Sequence, residues 1–294
     1  MEYTSSSDKI TRDYFDSLLL EARYINSDLP STKLELYGRT FDTPVMTAAL
    51  SHLGNTAENG MVKYAQAAAM TNAVHWVGMG EDKELEEITA TGAATIKIIK
   101  PHADNKEVFR KIEHAKKAGC FAVGMDIDHA FNGSGGYDNV LGLHMKPKST
   151  EELHDFVQAA GIPFIVKGVL STRDAEKCLK AGCKGIQLSH HHGIMQYAVP
   201  PLMMLPEILQ VTRGEIPVFI DCGIESGMDV YKCLALGATA VSVGRHLMPL
   251  LKEGADATAA RIKEMTGELA ATMARTGVRN LNSFDATVIH QRRF

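Results

Sequence analysis

The chain has 294 residues, 45% of them hydrophobic, and a formal net charge of −4. That apolar content over that length is enough to bury one large core. The mildly acidic balance, with no long basic run beyond a terminal Arg292-Arg293 pair, argues against nucleic acid or a membrane surface as the main partner.

In chain order, residues 8–26 predict an N-terminal helix, and a small strand pair is expected around residues 33–36. Short apolar runs then begin at Pro44 (PVMTA), Ala73 (AVHWVGM), Thr95 (TIKII), Phe121 (FAVGMDID), Pro163 (PFIVKG), Lys184 (KGIQLS), Val218 (VFIDCGI) and Ala240 (AVSVGR). Each has the length of a buried strand. Helical patterns lie between them. Residues 105–118 place Val108, Ile112 and Ala115 on one stripe, with Lys and Arg elsewhere. Ser149 and Ser171 stand as N-caps, with acidic residues in the turn that follows. Residues 256–276 predict a long amphipathic helix at the end.

Alternating strands and helices imply a parallel sheet. Eight such units in this length fit a closed (β/α)8 TIM barrel better than an open doubly wound sheet. The expected organisation is a single domain over 1–294, with 1–42 as an N-terminal cap over the barrel bottom and 43–294 as barrel and terminal helix. The last two runs stop at Gly223 and Gly244, each beside a helix start. Backbone N–H groups exposed there make a phosphate site, at the place where such barrels commonly carry one. Residues 129–148 (HAFNGSGGYDNVLGLHMKPK) form the one long irregular segment, expected either as a binding loop or lid or as a disordered excursion.

Barrel chemistry sits at the C-terminal ends of the strands. The polar residues there are Lys97, Asp126, Asp128, Lys167, Ser189, His190, His191, His192, Asp221 and Arg245. A charge inside a barrel is costly unless paired, so these positions need partners or ligands. Lys167 either stabilises an anion at the mouth or snorkels to solvent. Three adjacent histidines cannot all ligate one metal comfortably, because neighbouring side chains point apart. A metal shared with Asp128 and a general base oriented by Asp128 both remain open, as do loop histidines without a role. The five cysteines, Cys120, Cys178, Cys183, Cys222 and Cys233, show no CxxC spacing. With no span-length apolar stretch and no signal pattern in MEYTSSSDKI, a reduced cytoplasmic protein is expected.

Two stretches, IPFIVKGVLSTRDAEKCLKAGCKGIQLSHHHG and IPVFIDCGIESGMDVYKCLALGATAVSVGR, carry a resemblance. Their anchors VKG, SHHHG, DCG and GR follow the order and spacing of VKG, SNHGGRQ, DGG and GR in the FMN-dependent α-hydroxy-acid oxidase and dehydrogenase family. The chain resembles that family over about residues 11–276. The resemblance implies FMN as cofactor and His191, Asp128 and Lys167 as catalytic residues: base, its carboxylate partner, and a cation beside the reduced flavin. It implies a cofactor shell of Ala48, Gly78, Lys97, Asp126, Lys167, Ser189, Asp221, Gly223, Gly244 and Arg245, with no metal. It also implies a small hydroxy substrate, an electron acceptor of unspecified kind, and a homo-oligomer, tetramer or octamer.

The departures bear on substrate. The family arginine that clamps the substrate carboxylate is matched by Ile194, and the substrate tyrosine on strand three is assigned to Ile99. One phosphate-site arginine is matched by Glu225, which is expected to turn away. Losing a bidentate arginine removes the physical reason to expect a simple 2-hydroxy acid. The expected function is FMN-dependent oxidation of a hydroxyl-bearing carbon. An FMN-dependent isomerase without net redox change and a flavin-binding or metabolite-binding barrel without turnover are the alternatives.

Overall fold

The computed structural model describes residues 5–292. Eight parallel strands form the centre: β1 (Val45–Thr47), β2 (Val74–Val77), β3 (Ala94–Ile99), β4 (Ala122–Asp126), β5 (Phe164–Val169), β6 (Gly185–Leu188), β7 (Val218–Ile220) and β8 (Ala240–Val243). Sequential neighbours pair from β2 through β8, and β8 pairs with β1. The ring closes between β1 and β2, where the Gly78 N–H donates to Leu50 O at 2.9 Å and Leu50 bridges Val77 in parallel. The alternating pattern has therefore closed into a (β/α)8 barrel, not an open sheet.

Nine helices surround or follow the strands among the described residues: α1 (Ser6–Ser17), α2 (Gly60–Met70), α3 (Asp82–Thr89), α4 (Asn105–Lys117), α5 (Thr150–Ala160), α6 (Thr172–Ala181), α7 (Pro201–Thr212), α8 (Gly227–Ala235) and α9 (Ala255–Arg275). The buried stripe of α4 is Val108, Ile112 and Ala115. Ser149 and Ser226 each build a capping box, with Glu152 and Asp229 respectively, and so satisfy otherwise orphaned N–H groups.

Strand side chains alternate, so each strand feeds two cores. The inner one packs Met46, Val74, Trp76, Ile96, Ile98, Ile165 and Phe219, with the Trp76 and Phe219 rings edge-on at 5.4 Å. The outer one packs Val45, Val77, Ile99, Val123, Val166 and Val243 against the helices. Apolar side chains fill most of the lower interior, where Gln187 and Ser242 bond each other at 2.5 Å, and the charged residues gather at the upper strand ends.

The expected bottom cap divides in two. A short hairpin, Leu34–Leu36 with Arg39–Phe41, does close the bottom. Tyr37 donates its hydroxyl to Lys184 O at 2.6 Å, just ahead of β6, and Phe41 meets Phe121 just ahead of β4. The N-terminal helix does not lie there. It stops at Ser17, and Leu18–Leu20 continues as a strand paired antiparallel with Ile289–Gln291. Helix α1 lies across the upper ends of β6, β7 and β8: Ser7 donates to Met195 O at 2.7 Å, Thr11 Oγ1 bonds His190 at 2.8 Å, and Arg12 donates to Gly223 O at 3.0 Å. The amphipathic pattern shows that a helix exists but not which end of the barrel it covers.

The irregular segment after β4 is built, not a bare excursion. It begins with a 3-10 turn, Ile127–Ala130, and contains a hairpin pairing Asn139–Val140 with Leu143–His144. Leu141 and Gly142 at its tip both have positive φ, at 52° and 83°, as a tight hairpin turn requires. No helix among the described residues is long and apolar enough to cross a membrane.

Candidate active site

Two cavities meet at the barrel mouth. The larger, about 160 Å³, is lined by Ala48–Ser51, Gly78, Ile98, Lys100, Asp126, Lys167, His191, His192, Asp221 and Cys222. The smaller, about 60 Å³, lies over the ends of β7 and β8 and is lined by residues including Asp8, Arg12, Gly223, Glu225, Gly244 and Arg245. Ala48, His192, Asp221 and Cys222 belong to both, so the two form one elongated site.

Lys167 is its electrostatic centre. The ammonium is buried at 4% exposure and lies 3.3 Å from Asp126, 3.8 Å from Asp221 and 4.0 Å from Asp128. It also donates to Ser189 Oγ at 3.2 Å, and that hydroxyl accepts the His191 N–H at 3.1 Å. Burial opposes a charged lysine, but the three carboxylates outweigh it and raise its pKa. Asp126 is also buried; Lys167 and Lys100, the latter at 2.6 Å, overcome desolvation and hold its carboxyl well below the usual range.

His191 follows β6 on a turn where His191, His192 and Gly193 have φ of 48°, 57° and 75°. This left-handed run turns His191 into the larger cavity. Its Nδ1 lies 3.1 Å from Asp128 and 3.4 Å from Asp126. Burial and the Lys167 charge resist its protonation; the two carboxylates win and raise its pKa. Neither buried oxygen of Asp128 receives a well-aligned hydrogen bond, so its hold on His191 is chiefly charge attraction. His192 is pushed down to about 4, by burial and by Arg245.

Most of the residues expected at the site come together. Ala48, Gly78, Asp126, Lys167, Asp221 and His191 line the larger cavity, Gly223, Gly244 and Arg245 the smaller, and Asp128 and Ser189 stand directly behind. Close backbone approach explains Gly78: a Cβ there would sit 2.4 Å from Ser51 Oγ.

Lys97 is a correction. It shares the outer face of β3 with Ile99, buried beneath the helices with its ammonium on Gly78 O, and burial pushes it down to about 8. The inner face carries Ile96 and Ile98 and, by the same alternation, Lys100 beyond the strand end. The position assigned to Ile99 as facing substrate therefore belongs to Lys100. Glu225 contributes to the wall of the smaller cavity, with its backbone N–H on Asp229 and its carbonyl on Arg261.

Five residues at this end of the barrel were not anticipated. They are Lys100, Asp8 and Arg12 from α1, and His129 and Asp138 from the segment after β4. His129 Nε2 lies 3.0 Å from His191 Nε2, and its Nδ1 lies 3.2 Å from Asp138. Strand alternation alone could have identified Lys100; the others depend on where remote segments dock. Asp126, Asp128, His129 and His191 cluster closely enough to suggest a cation site. The Lys167 ammonium 3.3 Å from both Asp126 and His191 already supplies positive charge there and would repel one.

A family model described as FMN-dependent dehydrogenase matches residues 3–156 and 146–291. The chain is 24% identical to a 2-hydroxyacid oxidase of Dictyostelium discoideum, covering 97% of this chain and 84% of that one. It is 26% identical to glycolate oxidase of Spinacia oleracea, covering 95% and 86%. Among solved structures, a mandelate oxidase carrying a C4a-hydroxyl FMN adduct superposes with a TM-score of 0.88 at 26% identity, covering 96% of this chain and 90% of that one. Matched along nearly its whole length, this chain belongs to the FMN-dependent dehydrogenase family and is an FMN-dependent oxidoreductase.

Proposed function

We propose that this protein oxidises a hydroxyl-bearing carbon of a small molecule, with His191 as the base. The observation that carries the reading is the environment of His191: an imidazole in the mouth cavity, backed by Asp128 and Asp126 and beside the buried Lys167. FMN supplies the two-electron acceptor when bound.

The residues present fit FMN. The site is elongated. At one end are a forked cation, Arg245, and the glycine-ended strands β7 and β8, suited to a phosphate. At the other is the Lys167 ammonium, suited to stabilising negative charge. His191 Nε2 takes the proton of the substrate hydroxyl as the carbon loses its hydrogen with two electrons. Asp128 and Asp126 stabilise the imidazolium that results, and Lys167 remains charged throughout.

The charge of the lining bears on substrate class. No arginine among the described residues lines the larger cavity. Its cations, Lys100 and Lys167, are already matched by Asp126, Asp128 and Asp221. A carboxylate entering here would share these cations with the three aspartates and would find no forked clamp, so neutral hydroxy compounds stand beside 2-hydroxy acids as candidate substrates.

The test is anaerobic mixing of the FMN-loaded protein with pools of 2-hydroxy acids and of neutral hydroxy compounds, followed by flavin absorbance. Bleaching by one pool identifies the class, and His191→Asn should abolish it. A flavin that stays oxidised with every pool would overturn the reading in favour of a barrel that binds flavin without this chemistry.

A further inference from the structure

His191 uses both ring nitrogens, and the second contact is not explained by its service as a base. Its Nδ1 faces carboxylates, while its Nε2 lies 3.0 Å from His129 Nε2, with the rings nearly perpendicular at 78°. His129 in turn places Nδ1 3.2 Å from Asp138. The four groups Asp128, His191, His129 and Asp138 form a continuous chain from the mouth cavity to the segment after β4.

Only certain proton placements satisfy that chain. Asp128 at 3.1 Å and Asp126 at 3.4 Å, set against the one ammonium of Lys167 at 3.3 Å, favour a proton on His191 Nδ1, and Asp138 at 3.2 Å favours one on His129 Nδ1. Between the facing Nε2 atoms there must then be one further proton, because two lone pairs 3.0 Å apart would repel. The pair therefore carries three protons and one positive charge. Burial and the charges of Lys100 and His191 disfavour charge on His129 despite Asp126 and Asp138, whereas His191 is held above its ordinary pKa. The charge rests on His191, and His129 accepts its Nε2–H.

We propose that His129, oriented by Asp138, is a positioning residue that stabilises the imidazolium His191 forms in turnover and carries its proton away before the next substrate binds. This rests on His191 being the base. The substrate hydroxyl and His129 Nε2 compete for His191 Nε2, so His129 gives way when substrate binds and returns when product leaves. The His191 Nε2 proton then moves to His129 Nε2. The His129 Nδ1 proton moves to Asp138 and on to water. That leaves His191 neutral, its Nδ1–H still facing Asp128, and its Nε2 lone pair free once His129, now bare at Nδ1 against Asp138, turns away for the next substrate. No electrons move in this step. The charged and titratable groups facing the two rings are Asp126 from β4, Asp128 from the turn after it, Lys167 from β5, Lys100 beyond β3, and Asp138 from the loop.

The test is a pH titration of histidine ring signals in the FMN-loaded, oxidised protein, labelled on histidine, with His191→Asn used for assignment. The wild type should show His191 and His129 titrating as a coupled pair. His129→Leu should leave His191 with one transition, its midpoint lowered by about one unit through loss of the Nε2–H acceptor. Asp138→Asn should lower the midpoint by a smaller amount. In turnover, kcat of His129→Leu should fall at least about tenfold with KM little changed, its acid limb following the His191 midpoint. A His191 curve that superimposes on wild type in both variants would overturn the proposal, and if His129→Leu does not fold, the Asp138→Asn curve decides alone. Failure of the base assignment gives a different result: His191→Asn would still bleach flavin with substrate, while the coupled titration of the wild-type rings would persist.

Discussion

The carboxylate of Asp8 lies on the guanidinium of Arg245, with one oxygen 2.6 Å from Nη2 and the other 3.1 Å from Nη1. The carboxylate is thus spread across the two terminal nitrogens of the cation best placed to hold a phosphate. The helix that brings it there also brings Arg12, whose guanidinium is itself matched by Asp229 at 2.9 Å. The N-terminal helix therefore supplies an anion to a site expected to take another. Asp8→Asn should tighten FMN binding by about tenfold, read by quenching of flavin fluorescence on titration into apoprotein. Weaker binding would show that Asp8 serves to aim Arg245.

Lys167→Met should be severe for stability as well as for turnover. It removes the ammonium that Asp126, Asp128 and Asp221 share and leaves buried carboxylates under-compensated. Breaking such a network costs about 3–5 kcal/mol. Thermal unfolding monitored by circular dichroism should register a large drop in Tm, while Lys167→Arg should recover part of it.

The pH dependence of flavin reduction follows from the environment of His191. A base works unprotonated, and here the carboxylates raise the pKa of the imidazole above its ordinary 6.5. The rate should therefore rise with pH through a midpoint above that value. Stability runs the other way for this group: its contribution is full below the unfolded pKa and is lost as pH rises through the folded one. Rapid-mixing rates across pH check the first statement. A midpoint below 6.5 would contradict it.

His75 has the opposite sign. It is fully buried between Thr47, whose Oγ1 bonds its Nδ1 at 2.7 Å, and the edge of Tyr64, and burial pushes it down to about 3 from 6.5. Between those values the unfolded chain binds a proton that the folded chain refuses. Stability should fall with decreasing pH by about 1.4 kcal/mol per unit from this group alone. His75→Gln should flatten the acid limb of a denaturation midpoint measured against pH, even if it lowers stability at neutral pH.

Tyr64→Phe tests how the first strand is held. The Tyr64 hydroxyl donates to Val243 O at 2.5 Å and accepts the Ala48 N–H at 3.1 Å, joining the ends of β1 and β8 beside the cavity. Removing it leaves Val243 O still accepting the Ala48 N–H at 3.0 Å, so the cost should be that of a net hydrogen bond, about 0.5–1.5 kcal/mol. Urea unfolding gives the number.

The sequence made the barrel legible because eight apolar runs of strand length, separated by capped amphipathic segments, allow few other closures. The axis of the site was legible too, since Lys167, His191, Asp221 and Arg245 sit at strand ends, where position along the strand fixes height in the barrel. Facing was harder. Lys97 interrupts β3 while Lys100 follows its end, and only the alternation of inner Ile96 and Ile98 with outer Ile99 shows which of the two faces the barrel. Long-range docking could not be read. Nothing local to residues 6–17 shows that Asp8 reaches Arg245, and nothing in the segment after β4 shows that its hairpin brings Asp138 back to His129.

The pairing of Leu18–Leu20 with Ile289–Gln291 makes the two ends of the described chain one structural piece. Arg23 strengthens it by reaching Asp285 at 2.7 Å, and Glu21 meets His290 at 2.7 Å. Because α1 enters this strand directly and also walls the smaller cavity, the far C-terminal segment braces the cofactor pocket from a distance. A bulky affinity tag fused there, or a truncation before Ile289, should loosen α1 and let flavin leach out during chromatography. The colour of the eluted fraction thus becomes a readout of whether the tail is seated.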